Sequence, residues 1–183
     1  VYVADAYNIV RFPYKSGDTK ASADAEPVVG DIPANHHWTR DIVFSQDDKT
    51  LYLSVGSGSN ISEDVAQPEG GIEAFVKDHP LGEDCGPEEG RAAVIAFDPD
   101  GKNRRVMATG IRNCSGMTLQ PATGALWCVT NERDGLGDNL VPDYATTVKD
   151  GAFYGWPWYY IGDNEDPRAP LKGQRPDLKG KVT

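Results

Sequence analysis

Two neighbouring histidines precede an arginine in the run Asn35-His36-His37-Trp38-Thr39-Arg40, where His37 and Arg40 fit the pattern His-x-Thr-Arg. The run ends just before an apolar stretch, Asp41-Ile42-Val43-Phe44, which predicts a strand. A neutral imidazole titrates near physiological pH and can therefore take a proton from a hydroxyl group. The pattern indicates a general base at the junction of a loop and a strand, although an isolated histidine pair is equally typical of a surface loop.

Two further clusters could bind a charged ligand. Arg112-Asn113 forms a polar elbow ahead of an apolar run, and arginine offers paired donors to carboxylate oxygens. The segment Asn131-Glu132-Arg133-Asp134-Gly135-Leu136-Gly137-Asp138-Asn139 is rich in oxygen ligands and in glycines, which let backbone carbonyls turn inward. Such a loop suits a hard cation such as calcium. Taken singly, each of these residues also fits a turn or a solvated surface.

The elements that must position these clusters are short strands. One apolar pattern occurs three times, at Val1-Tyr2-Val3-Ala4-Asp5, Leu51-Tyr52-Leu53-Ser54-Val55 and Leu126-Trp127-Cys128-Val129-Thr130. The first two copies begin about fifty residues apart, close to the period of propeller blades, and the third follows after about 75. The excess predicts an insertion at residues 57–90, whose Gly, Pro, Glu and Asp content is typical of loops.

Turn signals join the strands into hairpins. Their predicted pairs are Ile42–Phe44 with the strand at Leu51, Ala93–Phe97 with Arg105–Met107, and Met117–Leu119 with the strand at Leu126. A further predicted strand, Ile9–Phe12, ends at Pro13. Short strands with hardly any helical period predict an all-β fold, either a sandwich or a propeller. The repeat favours the propeller.

Charge and composition exclude several classes of function. Among 183 residues, 18 Lys and Arg face 28 Asp and Glu, which gives a net charge of -10 and argues against nucleic-acid binding. No apolar run approaches the ~20 residues that a membrane span requires. Zinc is disfavoured because His36 and His37 are adjacent and no Cys-x-x-Cys occurs. A nicotinamide cofactor is disfavoured because no Gly-x-Gly-x-x-Gly opens a helix.

The clusters occur together in a recognisable order. The succession GIRNCSG, LWCVTNERDGLGDNLVPD and VKDGAFYGWP, preceded by VYVADAYNIVRFPY and HHWTRDIVFSQDDKTLYLSVGSGSN, resembles the soluble pyrroloquinoline quinone (PQQ) dependent sugar dehydrogenases. It is most similar to the L-sorbosone and pyranose dehydrogenases, relatives of soluble glucose dehydrogenase. The resemblance implies a six-bladed β-propeller, of which residues 1–183 provide about three blades. We therefore expect a fragment of one catalytic domain, unstable alone because its edge strands are open.

The resemblance also implies a role for individual residues. His37 is the expected general base, with His36 as second choice, and Arg112 and Asn113 are expected to contact PQQ. Arg40 and Asn131 are assigned to the same cofactor. Main-chain carbonyls at about Arg133 and Asp134 are expected to bind the active-site calcium, although glucose dehydrogenases of the family carry Gly-Pro there. A second, structural calcium site is expected around Asp138, Asn139 and Tyr154.

The implied activity is PQQ- and calcium-dependent oxidation of a sugar or sugar-derived aldehyde or alcohol, with electrons passed to a separate acceptor, a cytochrome or a quinone. Such enzymes are periplasmic or secreted, which favours a disulfide between Cys114 and Cys128 with Cys85 left over. The alternatives are a calcium-dependent lactone hydrolase and a non-catalytic propeller that binds glycans or protein. Two assignments stay open: Arg91 could line the pocket or pair with a carboxylate, and the aromatic run at residues 154–160 could form blade core or a sugar platform.

Overall fold

Three antiparallel sheets that follow one another along the chain form most of the computed structural model, which describes residues 1–63, 65–171 and 175–183. The strands are β1 (Tyr2–Ala4), β2 (Ile9–Arg11), β3 (Glu26–Val29), β4 (Ile42–Phe44), β5 (Leu51–Val55), β6 (Ala93–Phe97), β7 (Arg105–Thr109), β8 (Cys114–Leu119), β9 (Leu126–Thr130), β10 (Tyr144–Thr147), β11 (Ala152–Phe153), β12 (Tyr159–Tyr160) and β13 (Asn164–Glu165). The described residues also contain one α-helix, α1 (Ile72–Asp78), and 3-10 turns at Gly86–Glu88 and Pro176–Leu178.

The sheets have the topology of successive blades. The first has the order β1-β2-β3, the second β4-β5-β6-β7 and the third β8-β9-β10, with neighbouring strands antiparallel throughout. Strand β11 adds a short parallel strand beside β7, and β12 pairs with β13. All of the predicted hairpins are present, and the all-β fold class is confirmed.

Residue patterning explains which faces are covered. Strand β6, Ala-Val-Ile-Ala-Phe, is buried along its whole length because it lies between two other strands and two neighbouring sheets. Strand β9 alternates instead: Leu126, Cys128 and Thr130 are buried, whereas Trp127 is 39% and Val129 is 51% exposed. Successive side chains of a strand point to opposite faces, so the third sheet is packed on one face and open on the other.

Two apolar clusters join the sheets. The first and second sheets share a core that contains Ile9, Ile32, Leu51, Leu53, Val55, Ala93, Ile95 and Phe97. The second and third share Val94, Met107, Ala108, Ile111, Cys114, Leu126, Cys128, Val148 and Tyr154. Between them these clusters hold the loops at the strand ends in a fixed relation.

The cysteines behave as expected. Cys114 in β8 and Cys128 in β9 form a disulfide with their Cα atoms 5.8 Å apart. Cys85 is a free, buried thiol. The disulfide therefore ties together two adjacent strands of the third sheet.

The segment 57–90 lies between β5 and β6 of the second sheet, and its assignment as an insertion stays a prediction. Its composition predicts only loops, but the chain forms helix α1 there after Gly70 and Gly71. The helix buries Phe75, whose ring stacks on His79 at a centroid distance of 3.7 Å. Such a short helix depends on tertiary contacts of this kind rather than on its own propensity, which is why the sequence alone did not predict it.

The turn between β6 and β7 carries a contact that can be tested. Gly101 has φ +82°, and a Cβ there would lie 1.9 Å from the Val28 carbonyl oxygen in β3. We expect Gly101→Ala to lower the free energy of unfolding by several kcal/mol, because a strained backbone adds about 1–2 kcal/mol and overpacking about 1–3 kcal/mol. Urea denaturation of the full-length protein measures the loss.

The matched control is Gly17→Ala. Gly17 also has a positive φ, +93°, but a Cβ there meets nothing within 4 Å. It should show only the backbone cost. Equal losses in the two variants would contradict the close packing of this turn against the first sheet.

Candidate functional site

His37 is held by the strand end that follows β5. Its Nδ1 lies 2.9 Å from the Ser57 carbonyl oxygen and 3.1 Å from Ser57 Oγ. A carbonyl oxygen can only accept, so Nδ1 carries the proton and Nε2 keeps its lone pair. The ring is therefore in the tautomer that a general base requires.

The surroundings of His37 keep it neutral. Burial lowers its pKa from 6.5 to about 4, and the electrostatic effects of Arg112, His36 and Arg91 act in the same direction. The hydrogen bond to the Ser57 backbone opposes them only in part. At physiological pH this imidazole is neutral, so it can accept a proton as a base but does not act as an imidazolium acid.

Asn113 approaches His37 across Gly56. A Cβ at Gly56 would lie 2.5 Å from Asn113 Oδ1 and 2.6 Å from His37 Cβ, so only glycine leaves room for both side chains. Asn113 is 6% exposed, and its Oδ1 has no hydrogen-bond partner among the described residues. An unsatisfied buried acceptor is costly, which makes this oxygen a candidate contact for a bound group.

Arg112 joins the same cluster from the other side. Its carbonyl accepts a hydrogen bond from the Ser57 amide at 2.8 Å. Its buried guanidinium donates to the carbonyl and the Oδ1 of Asn60, at 3.1 and 3.0 Å, and to the carbonyls of Asn131 and Glu132, at 3.4 and 2.9 Å. Four of the five guanidinium hydrogens are thereby used within the chain. Towards a ligand, Arg112 offers its charge and a single N–H rather than a paired fork.

Arg40 supports the histidine loop from within. Its guanidinium donates to the carbonyls of Pro33, His37 and Thr39, the last two at 3.1 and 2.7 Å. Burial lowers its pKa to about 10, so it remains a cation at neutral pH. Its assignment as a cofactor contact stays a prediction.

The start of the oxygen-rich loop is fixed by a buried ion pair. Arg133 is fully buried, with Nε 3.0 Å from Glu132 and a terminal nitrogen 3.5 Å from Asp166. Its remaining donors reach the carbonyls of Pro157 and Tyr159, both at 2.8 Å. The side chain of Arg133 thus ties this loop to the aromatic segment.

Asn131 faces the Asn113 and Arg112 cluster. Its side-chain nitrogen donates to Asp143 at 3.1 Å, and its Oδ1 lies 3.5 Å from Asn113 Nδ2. Asp143 also accepts from the Glu132 amide at 2.8 Å. Of the predicted site residues, His37, Arg112, Asn113 and Asn131 therefore converge in one place.

The predicted calcium ligands have other contacts in this structure. The Asp134 carbonyl accepts from the Arg168 guanidinium at 2.7 Å and from Asn60 Nδ2 at 3.1 Å. Asp138 and Asn139 are exposed. Within residues 1–63, 65–171 and 175–183, no group of three or more His, Cys, Asp or Glu side chains is placed to hold a metal ion. The assignments of Arg133, Asp134, Asp138 and Asn139 to calcium stay predictions.

Tyr154 and the aromatic run belong to the core. The Tyr154 hydroxyl donates to the Thr147 carbonyl and accepts from the Lys149 amide at 3.0 Å. Trp156, Trp158 and Tyr159 are buried as well, which favours blade core over a sugar platform. Trp156 donates from Nε1 to the Asn60 carbonyl at 3.0 Å and so reaches the framework of the site.

Two contributors were missed by the sequence reasoning. Ser57 and Asn60 lie in the run Gly-Ser-Gly-Ser-Asn after β5, and both act through backbone carbonyls as well as side chains. The only signal was the glycine-rich composition at a strand end. That composition predicts a tight loop without telling which carbonyl will face which donor.

Comparison with known proteins supports the fold. A calcium structure of Trichoderma reesei Carbohydrate-Active Enzymes family AA12 covers 100% of this chain with a TM-score of 0.69 at 17% identity, and this chain covers 51% of it. The soluble aldose sugar dehydrogenase of Escherichia coli, in its apo form, covers 89% with a TM-score of 0.55 at 18% identity, and 45% of that protein is covered. A glucose dehydrogenase structure covers 89% of this chain with a TM-score of 0.58 at 15% identity, and 45% of that protein is covered. The chain thus adopts part of a β-propeller and spans about half the length of these proteins.

Sequence comparison gives the family. An uncharacterized protein of Borreliella burgdorferi is 29% identical over 80 residues, which is 43% of this chain and 21% of the relative. Among the described residues, no helix is long and apolar enough to cross a membrane. The family model that describes TrAA12-like proteins matches residues 1–150. The chain therefore belongs to the TrAA12-like family.

Proposed function

We propose that this chain is part of a PQQ-dependent dehydrogenase that oxidises a sugar or a sugar-derived aldehyde or alcohol, of the sorbosone, pyranose or aldose dehydrogenase type. Electrons would pass to a separate cytochrome or quinone. The observation that carries the proposal is the neutral His37, with Nε2 unprotonated, beside Asn113 and the Arg112 guanidinium. The likeness to a family AA12 structure and to glucose and aldose sugar dehydrogenases supports it.

The charges of the site suit PQQ, which carries three carboxylates. The guanidinium groups of Arg112 and Arg91 both disfavour protonation of His37, which means that the site has a positive potential. Arg112 and Asn113 would hold the cofactor, Arg112 by its charge and Asn113 by accepting a hydrogen bond from the cofactor's ring N–H at the unpartnered Oδ1. When bound, PQQ supplies the two-electron acceptor for the hydride that leaves the sugar carbon.

His37 would take the hydroxyl proton of the sugar at Nε2. Its Nδ1–H stays on the Ser57 carbonyl and orients the ring. A base with a pKa of about 4 is weak, but an anion bound beside Arg112 and Arg91 would offset their charges and raise that pKa. Cofactor binding and activation of the base would therefore be coupled.

Calcium dependence and a periplasmic or secreted location are further parts of the proposal. The Arg168 contact with Asp134 would have to be displaced before a cation could bind at that carbonyl, so no step of the chemistry is assigned to calcium.

A periplasmic or secreted location is supported by the Cys114 to Cys128 disulfide, because disulfides persist in oxidising compartments.

A calcium-dependent lactone hydrolase is the second candidate, since related propellers bind calcium through acidic side chains. It is less well supported, because the described residues contain no group of three or more His, Cys, Asp or Glu side chains that could hold a metal ion. A non-catalytic propeller that binds glycans or protein would not need the unprotonated Nε2 or the orphaned Asn113 oxygen.

The central test replaces the base. His37→Ala in the full-length protein, assayed with PQQ, aldoses and an artificial electron acceptor, should lower kcat by about 100-fold or more, the usual contribution of a general base. PQQ binding, followed by its absorbance, should survive. Assays with and without added calcium test the metal requirement separately.

His36→Ala is the matched control, because His36 is exposed and should leave turnover near the wild-type level. Lactone hydrolysis without PQQ would instead promote the second candidate. If neither PQQ binding nor hydrolysis is found, both enzymatic proposals fail.

Gly56→Ala tests the convergence of His37 and Asn113. The added Cβ would overlap both side chains, so we expect kcat/KM to fall on the order of 100-fold, the effect of about 1 Å of misplacement. The fold should persist, and a crystal structure should show either side chain displaced. Gly30→Ala, whose Cβ would lie 3.7 Å from Asn8, is the control. Wild-type activity of Gly56→Ala would show that the two groups do not work together.

A further inference from the structure

Arg91 is a buried cation that binds the backbone on both sides of His37. It is 4% exposed. One of its terminal nitrogens donates to the Asn35 carbonyl at 2.7 Å and to the Ser57 carbonyl at 3.0 Å, and its Nε donates to the Gly56 carbonyl at 3.2 Å. The Asn35 contact fixes the loop that carries His37, and the other two fix the strand end against which His37 rests.

Glu88 orients this guanidinium. It lies 3.9 Å from Arg91, and both side chains are at most 3% exposed. The Glu88 carboxylate also accepts from the Gly58 amide at 2.8 Å and from Ser59 Oγ at 2.5 Å. The carboxylate is therefore anchored to the same loop as its partner, and the ion pair is compensated by hydrogen bonds, as a buried pair requires.

The Ser57 carbonyl oxygen is the common point of contact. It accepts from Arg91 at 3.0 Å and from His37 Nδ1 at 2.9 Å. Because Arg91 holds this oxygen in place and Nδ1 must donate to it, the ring nitrogen that keeps its lone pair is Nε2. Sharing the oxygen with a cation also weakens its ability to stabilise a charged imidazole.

We propose that Arg91, oriented by Glu88, is a positioning residue that fixes which ring nitrogen of His37 carries the proton and opposes protonation of the other. The proposal rests on the proposed function, in which His37 is the general base. No direct contact with substrate or cofactor is assigned to Arg91 itself. It acts through the Ser57 carbonyl and through its charge.

The charged and titratable groups that face His37 are few. Arg112 comes from the loop before β8, His36 is the preceding residue, and Arg91 comes from the segment before β6. Arg40 binds the His37 carbonyl from the same loop. Removing Arg91 takes away one positive charge and one competing donor at Ser57, and both changes favour the imidazolium. The pKa of His37 should therefore rise.

The test is an NMR titration of His37 in full-length protein without cofactor, with isotope-labelled histidine. The wild-type midpoint should lie near pH 4, with Nδ1 protonated above it. Arg91→Met should raise the midpoint by less than about one pH unit, because burial is the main cause of the low His37 pKa and the charge of Arg91 is a smaller one. Arg91→Lys, which keeps the charge, should have a His37 midpoint close to that of the wild type. Arg105→Met removes an exposed arginine paired with Asp150 and should leave it unchanged.

Glu88→Gln gives an opposite shift and guards against misfolding of the methionine variant. Without the carboxylate, the positive charge of Arg91 is less compensated, so the His37 midpoint should fall rather than rise. In turnover assays, the acidic limb of kcat/KM should follow each midpoint, moving to higher pH in Arg91→Met. A loss of activity without movement of that limb would indicate a merely structural role.

The two proposals fail in different ways. If Arg91→Met leaves both the midpoint and the tautomer of His37 unchanged, the positioning role is overturned. If the midpoint moves as expected but His37→Ala keeps full turnover, the proposed function fails while the hold of Arg91 on the imidazole stands.

Discussion

Buried guanidinium groups that bind backbone carbonyls are the interaction on which this site depends. Arg91 holds carbonyls at Asn35, Gly56 and Ser57, and Arg112 and Arg133 do the same for the loops after β5, β9 and β11. Where strands end, carbonyls lose their ladder partners and must be satisfied in other ways if they are buried. An arginine supplies five donors in a planar fork and can serve several carbonyls at once. These residues tie the loops to one another, while the apolar clusters pack the sheets together.

Arg91 and Arg112 place positive charge near His37 in an acidic protein. The net charge of -10 comes mainly from exposed Asp and Glu, which solvent and salt screen. Arg91, Arg112 and Arg133 are buried, and their fields are screened far less. Glu88 pairs with Arg91, and Glu132 and Asp166 pair with Arg133, whereas Arg112 forms no ion pair within the described residues. The field at His37 is thus decided by a few groups that the overall composition conceals.

The fold was predictable from the sequence in greater detail than the site. Turn signals such as Asp98-Pro99-Asp100-Gly101 and the repeated apolar strand suffice for the sheets, because both are local patterns. Strands β3 and β10 were missed, since Glu26–Val29 contains a proline and Tyr144–Thr147 lacks an apolar alternation. The convergence of His37 with Asn113 came only through the resemblance. Nothing in the spacing of the sequence says that Gly56 separates them, because that distance depends on how two sheets pack.

The residues with the clearest chemical signal also make many hydrogen bonds within the chain. Most guanidinium hydrogens of Arg112 are donated to carbonyls, and the Asp134 carbonyl accepts from Arg168. Residue type records what a side chain can bind, whereas burial decides what it must bind first. A buried arginine is committed to nearby carbonyls before any ligand arrives, and only its charge remains wholly available. In this site, the same buried arginines therefore hold the loops and supply the positive charge that attracts an anion.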